Sequence, residues 1–227
     1  MQNDVLEDQA TPGGTSLASQ QVERTLARRR EAYTEEIQRL VDASFALIRD
    51  SGQLEPRVGE IVKAAGLSNQ AFYRHFRSKD ELLLTVLDHG VGQLREYLAR
   101  RMAKVSSPLA KIRSFVEGVL EQALQPEAAR ATRPFAGSRA RLAELFPRQV
   151  AASEQQLSAL LAQAIENAVA SGDLLHADPG PDAEVVYDLA MGWMQRKLCA
   201  GEVGTRDEAA QLVRFALRGL GASGEEA

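Results

Sequence analysis

Hydrophobic residues recur along most of the chain at intervals of three and four positions, which is the spacing of one helix face. The first such segment covers residues 33–50, and Ser51-Gly52 ends it. A shorter segment follows Pro56 and ends at Gly66, where a left-handed cap residue is favoured. No segment sustains a strand-like alternation with β-branched residues. The pattern predicts an all-α protein.

Two more helices follow Gly66 closely. Ser68 is suited to cap the third helix, in which Phe72 and Phe76 are four positions apart and should face a small core. Ser78, followed by acidic residues, starts a longer fourth helix. Three short helices around one core, the second and third joined by a glycine-containing turn, form a helix-turn-helix unit.

The rest of the chain stays helical in pattern. Further helices are predicted at about 108–124, 127–133, 138–146, 157–169, 182–200 and 206–220. The polar, glycine- and proline-containing start is typical of a disordered arm. We therefore predict an arm over 1–27, a helix-turn-helix domain over 28–78 and a second helical domain over 79–227.

Composition and charge favour a cytoplasmic protein that has no membrane span and can bind DNA. The single cysteine, Cys199, excludes an internal disulfide and is typical of a reducing cytoplasm. The sequence contains no run of about 18 apolar residues, so we predict no membrane span. The net charge is −4, yet residues 57–79 hold five Lys or Arg and one acid, Glu60. Such focused positive charge matters more for DNA binding than the overall acidity.

The segments Arg57–Ser68, Phe72–Phe76 and Lys79–Leu83 together resemble the TetR (tetracycline-repressor) family of bacterial regulators. The resemblance covers about residues 33–87. It implies a homodimer whose N-terminal domains bind a palindromic operator and whose C-terminal domains dimerise and usually hold an effector pocket. We expect a repressor released by a small apolar or amphipathic effector. The alternative is a regulator of the same fold that is controlled by a protein partner or has no ligand.

The candidate DNA contacts lie in and around the third helix. The first residues of a recognition helix reach base edges; Asn and Gln pair with adenine, and Ala can meet a thymine methyl. The predicted base readers are Ser68, Asn69, Gln70 and Ala71. Ser68 can equally serve only as a cap. The resemblance implies phosphate contacts from Arg57, Tyr73, His75 and Lys79.

The basic run Arg28–Arg30 precedes the first predicted helix. It either reaches the adjacent minor groove as an arm or forms a solvated basic helix end beside acidic neighbours. Both interpretations remain open from the sequence.

Effector contacts are sought among the scarce aromatic residues and the adaptable methionines, each of which can also be simple core. The candidates are His89, Phe115, Phe135, Phe146, Tyr187, Met191, Trp193 and Met194. His89 and Gly90 interrupt the fourth helix, where an effector would be sensed. Arg133 or Arg139 either serves an anionic effector or lies on the surface.

The predicted helices at 182–200 and 206–220 carry more apolar residues than one packed face needs. One face can cover the domain and leave the second for a partner, which predicts a homodimer built as a four-helix bundle. The three histidines, His75, His89 and His176, have no metal-ligand spacing. Because phosphate-loop and nucleophile motifs are also missing, we expect no enzyme, no metal and no cofactor.

Overall fold

The structure, a computed structural model, describes residues 16–52 and 56–222. Within them lie nine helices and no strand, which confirms the predicted all-α fold class. The helices are α1 (Leu17–Ser51), α2 (Val58–Ala65), α3 (Asn69–His75), α4 (Lys79–Met102), α5 (Pro108–Leu124), α6 (Pro126–Leu145), α7 (Pro147–Ser171), α8 (Pro179–Ala200) and α9 (Arg206–Gly219). The chain divides into two compact units, Met1–Gln38 and Arg39–Ala227. The predicted domain boundary at residue 78 stays a prediction.

The first helix begins earlier than the sequence pattern predicts. α1 already covers residues 17–27, where a disordered arm is predicted, so the arm is wrong for these residues. Leu, Ala, Gln, Glu and Arg dominate this stretch and favour a helix without any apolar face. Arg28–Arg30 are exposed within α1, on a helix and not on an extended arm. Residues 1–15 of the predicted arm lie outside the described residues.

The turn between α2 and α3 is fixed by backbone geometry. Gly66 has a φ of 62°, a left-handed conformation that favours glycine. The amide of Leu67 donates to the carbonyl of Val62 at 2.8 Å, as expected of a helix end of this type. The guanidinium of Arg39 on α1 donates to the carbonyl of Gly66 at 3.0 Å and also to that of Ala65. The first helix therefore satisfies carbonyls that the end of α2 leaves open.

The small core under α3 is aromatic, as predicted. Phe72 is fully buried and Phe76 is 5% exposed, with ring centroids 5.8 Å apart. Phe76 is not part of α3 but the residue that ends it, in an extended conformation. Ile61 and Val62 of α2 are buried as well. These side chains hold a helix of only seven residues in place.

The remaining helices surround α5, which packs against α4, α6, α7, α8 and α9. Its buried side chains, among them Ile112, Phe115 and Leu120, form the centre of the larger core. None of the described helices is long and apolar enough to cross a membrane.

Two helices are more continuous than the sequence predicts. α4 continues through His89 and Gly90, which therefore do not interrupt it. α6 is one helix with Pro134 inside it, where two separate pieces are predicted. Ala129 and Leu142 are buried on either side of Pro134, so packing of the whole apolar face outweighs the proline's missing hydrogen bond.

Replacing Phe72 with alanine should lower the free energy of unfolding by about 3–5 kcal/mol, because a fully buried phenylalanine leaves a cavity behind. Its neighbour Tyr73 is 63% exposed, so Tyr73→Ala should change the free energy by less than about 1 kcal/mol. Urea unfolding followed by circular dichroism measures both variants. Equal losses would contradict the assignment of Phe72 to the core.

Candidate nucleic-acid interface and internal cavity

The first turn of α3 presents polar side chains to solvent. Asn69 and Gln70 are both exposed, so their amide groups are available to base edges. Ser68 is exposed too, but its Oγ accepts the amide of Ala71 at 3.1 Å. Ser68 therefore caps the helix, and its predicted base contact stays a prediction.

Ala71 does not share this surface. It is only 4% exposed and belongs to the buried side of α3, next to Phe72. The prediction that Ala71 meets a thymine methyl is wrong for this reason. A small side chain at that position lets the short helix approach its own core.

The predicted phosphate contacts are accessible to different extents. Arg57 and Tyr73 are exposed, whereas His75 and Lys79 are half-buried. Arg74 and Arg77, which are not among the predicted contacts, are exposed in the same stretch. The charge count over residues 57–79 is the signal that points to these two additional cations.

Two carboxylates beside this surface are held by the backbone. An Oε2 atom of Glu60 accepts the amide of Arg57 at 2.9 Å, and that of Glu81 accepts the amide of Arg77 at 2.6 Å. Both acids lie in the first turn of a helix, where the helix dipole favours negative charge. These hydrogen bonds fix the two carboxylates at the helix starts of α2 and α4, and each carboxylate keeps its negative charge.

A second candidate site is a cavity of about 420 Å³. Residues from α1, α4, α5, α6, α7 and α8 line it, and its surface is mostly apolar. The volume lies within the range of small-molecule sites, which is about 300–1,000 Å³. The fold thus contains space for a small ligand next to α1.

Half of the predicted effector residues line this cavity and half do not. Those that line it are Phe135, Tyr187, Met191 and Met194. Phe115 and Trp193 are buried in the core, and Phe146 is half-buried where α6 meets α7. His89 is half-buried on α4, with its ring against that of Phe45. The structure thus assigns to packing several aromatics that the sequence cannot distinguish from ligand contacts.

Phe45 is the cavity residue that the sequence most clearly missed. It lies on α1, stacks on Phe135 with ring centroids 5.1 Å apart, and meets His89 edge-on at 5.5 Å. A Cβ atom at Gly90 would lie 3.3 Å from the Phe45 ring, so this glycine permits the close approach. Helical periodicity identifies Phe45 only as an inward-facing residue, and nothing in the sequence shows that it borders a cavity.

Polar and ionic contacts tie α4 to the helices on both sides of it. Nε2 of His89 lies 3.7 Å from an Asp42 carboxylate oxygen on α1. At the start of α4, Asp80 accepts a hydrogen bond from Arg141 of α6 at 2.6 Å. Ser153 of α7 donates to Asp88 on α4. A displacement of α4 would therefore break contacts with α1, α6 and α7.

Arg139 and Glu154 form a two-bond ion pair at the edge of the cavity. Nη2 of Arg139 donates to Oε2 of Glu154 at 2.8 Å, and its Nε donates to the other carboxylate oxygen. The hydrogen bonds to Glu154 raise the pKa of the Arg139 guanidinium. Arg133, the other candidate for an anionic effector, is exposed and does not line the cavity.

Two tyrosines border the cavity, and their hydroxyl groups differ. The Tyr97 hydroxyl donates to Glu121 and lies 3.4 Å from Arg101. The Tyr187 hydroxyl is buried and has no hydrogen-bond partner within the described part of the chain. Burial, reinforced by the nearby Glu154 carboxylate, raises the pKa of Tyr187 far above its ordinary value, so this phenol stays protonated.

Residues 40–86 match the sequence profile of a family described as bacterial regulatory proteins, tetR family, which confirms the resemblance seen in the sequence. The HTH-type transcriptional regulator BetI of Yersinia pestis (strain Pestoides F) is 31% identical over 83 residues. That match covers 36% of this chain and 42% of the BetI protein. The chain thus aligns with less than half the length of these curated relatives.

Solved structures show the same fold over most of the chain. A TetR-family transcriptional regulator from Pectobacterium atrosepticum is 24% identical, with a TM-score of 0.69 over 84% of this chain and 96% of that one. RolR in complex with resorcinol is 14% identical, with a TM-score of 0.65 over 86% and 91% of the two chains. At these identities the likeness concerns the fold alone.

Proposed function

We propose that this chain, whose residues 40–86 match the profile of the tetR family of bacterial regulatory proteins, is a transcriptional repressor that binds a palindromic operator as a homodimer. The observation that carries the proposal is the surface of α3. Asn69 and Gln70 are exposed at its start, and five cations accompany one acid within residues 57–79. Amide side chains can read bases while the cations hold the phosphates.

The acidic overall composition does not oppose this function. The acid within the cationic stretch, Glu60, is engaged by the backbone at the start of α2, and Glu81 likewise at the start of α4. Residues 57–79 hold five cations and one acid, and the exposed side chains of Arg57, Arg74 and Arg77 can give the surface a local positive potential. DNA senses this local potential within about one Debye length, roughly 10 Å, more than the net charge of the protein.

The second part of the proposal is control by a small molecule in the cavity. Phe45 supports it, because this α1 residue forms part of the cavity wall and stacks on Phe135 of α6. A ligand that fills the space would act on a helix of the DNA-binding domain by direct contact. RolR, of similar fold, was solved with resorcinol, which supports a small ligand for this architecture. The alternative is a regulator of the same fold that is controlled by a protein partner or has no ligand.

The third part of the proposal is dimerisation through the outer surfaces of α8 and α9. The chain itself buries most of both predicted apolar faces of α8, including Ala190 and Leu198. Leu189 and Met191 are half-buried, so neither face is left over for a partner. Exposed apolar side chains remain on the two helices, Val185 at 67% and Phe215 at 62%. Two such helices from each subunit can pack across a two-fold axis.

Two variants test the DNA contacts separately. Gln70→Ala should weaken binding to the preferred duplex by about 1–3 kcal/mol per lost base contact while leaving non-specific binding unchanged. Lys79→Ala should weaken binding to all sequences alike and reduce the log–log salt slope by about 2 per dimer. The unaltered dimer should show a slope near −7 if it contacts about eight phosphates. Fluorescence anisotropy on a duplex selected from a random library measures the affinity and the salt slope of the unaltered protein and of both variants.

The matched control is Lys104→Ala, because Lys104 is an exposed lysine that lies just beyond α4 and outside the cationic stretch. It should retain both affinity and salt slope. Failure of the unaltered protein to bind any selected duplex in a salt-sensitive manner would refute the proposed DNA-binding function.

Dimerisation is tested by placing a charge on the proposed surface. Phe215→Asp should shift the protein from dimer to monomer in size-exclusion chromatography with light scattering, because an unpaired carboxylate would be buried between subunits. Leu175→Asp is the control, since Leu175 is 77% exposed and lies between α7 and α8. A Phe215→Asp protein that remains a dimer would exclude this surface as the interface.

A further inference from the structure

The two tyrosines that border the cavity suggest what kind of molecule occupies it. Tyr97 has its hydroxyl committed to Glu121 and Arg101. Tyr187 is only 5% exposed, and its hydroxyl has no partner among the described residues. A buried hydroxyl without a partner is costly, because it has lost its hydrogen bonds to water and gained none in return.

A group within the cavity is the natural partner for this hydroxyl, because the side chain that carries it lines the cavity. The phenol stays protonated at physiological pH, since burial raises its pKa well above the ordinary value. A protonated phenol donates one hydrogen bond and can also accept one. An oxygen that accepts the phenolic proton would satisfy the donor of this buried hydroxyl.

The charged residues of the cavity wall favour a ligand without charge. Arg139 is neutralised by its two hydrogen bonds to Glu154. Arg49 lies 3.0 Å from a carboxylate oxygen of Asp50. A charged ligand would have to leave water, and to pair with Arg139 it would have to displace Glu154; both steps cost free energy. The Arg49–Asp50 pair is at least half exposed and contributes little to this selection.

The size of the cavity sets the size of the ligand. Its volume of about 420 Å³ lies near the lower end of the range of small-molecule sites, about 300–1,000 Å³, which favours a small ligand such as a fused bicycle. The wall consists mainly of apolar side chains such as Phe45, Leu94, Phe135 and Met191. Two stacked phenylalanine rings in this wall suit a flat apolar body.

We propose that the cavity binds an uncharged, mainly apolar molecule of fused-bicycle size, and that the Tyr187 hydroxyl donates a hydrogen bond to an oxygen of this molecule. The inference rests on the proposed function, in which such a molecule is the effector. Phe45 and Phe135 hold the apolar body, and Tyr187 selects molecules with an acceptor.

Three naphthalene derivatives of matched size test the inference. 2-Acetylnaphthalene offers a carbonyl acceptor, 2-isopropylnaphthalene has the same shape without an acceptor, and 2-naphthoate carries a charge. Equilibrium dialysis against the full-length protein, followed by naphthyl absorbance, gives the three dissociation constants. The acetyl compound should bind about tenfold more tightly than the isopropyl compound, which is the value of one hydrogen bond. It should also bind at least tenfold more tightly than naphthoate.

Tyr187→Phe is the decisive variant, because it removes the hydroxyl and keeps the ring. The preference for acetyl over isopropyl should disappear in it, while binding of the isopropyl compound is retained. Its melting temperature should be equal to or above that of the unaltered protein, since an unpartnered buried hydroxyl is removed. Tyr97→Phe is the matched control and should retain the preference, because the Tyr97 hydroxyl is already engaged.

Other outcomes overturn the inference. If naphthoate binds more tightly than the acetyl compound, the cavity selects an anion. If Tyr187→Phe and Tyr97→Phe lose the preference for acetyl over isopropyl equally, the Tyr187 hydroxyl is not the group that selects the acceptor. Failure of all three compounds to bind would show that the cavity does not accept molecules of this kind. In each case salt-sensitive binding to the selected duplex, measured separately, would leave the proposed regulator intact.

Discussion

The contact between Phe45 and Phe135 is the constraint on which both candidate sites depend. Phe45 belongs to α1, the helix whose Arg39 holds the turn before α3, and Phe135 belongs to α6, deep in the second half of the chain. Gly90 on α4 leaves room for the Phe45 ring, since a Cβ atom at this position would lie 3.3 Å from it. One helix therefore serves two purposes, as a support for the turn before α3 and as part of the cavity wall.

The helix-turn-helix unit is largely predictable because short-range rules determine it. A left-handed glycine at position 66, a serine cap at 68 and aromatics at 72 and 76 act within a few residues of one another. The same rules fail where packing between distant residues determines the length of a helix or the burial of a side chain. α6 continues through Pro134 because its whole face is buried, and Ala71 faces the core although it lies in the turn that presents Asn69 and Gln70.

The cavity is predictable only in part, because six helices distant in sequence contribute to its wall. Hydrophobic periodicity shows that a side chain points inward, but it does not show whether it meets protein or empty space. Phe115 and Phe135 are alike in the sequence, yet only Phe135 borders the cavity. Tyr97 and Tyr187 likewise differ only through their partners, which the three-dimensional arrangement alone determines.

The hydrogen bonds from Arg39 to the carbonyls of Ala65 and Gly66 have a consequence for how such a protein diversifies. They secure the approach to α3 from a different helix, and Ser68 supplies the cap from outside α3. The turn and the cap of α3 thus do not depend on the side chains of Asn69 and Gln70, so these two positions can vary. Under the proposed function, a lineage could acquire a new target sequence by exchanging these two side chains, without first acquiring compensating mutations in the scaffold.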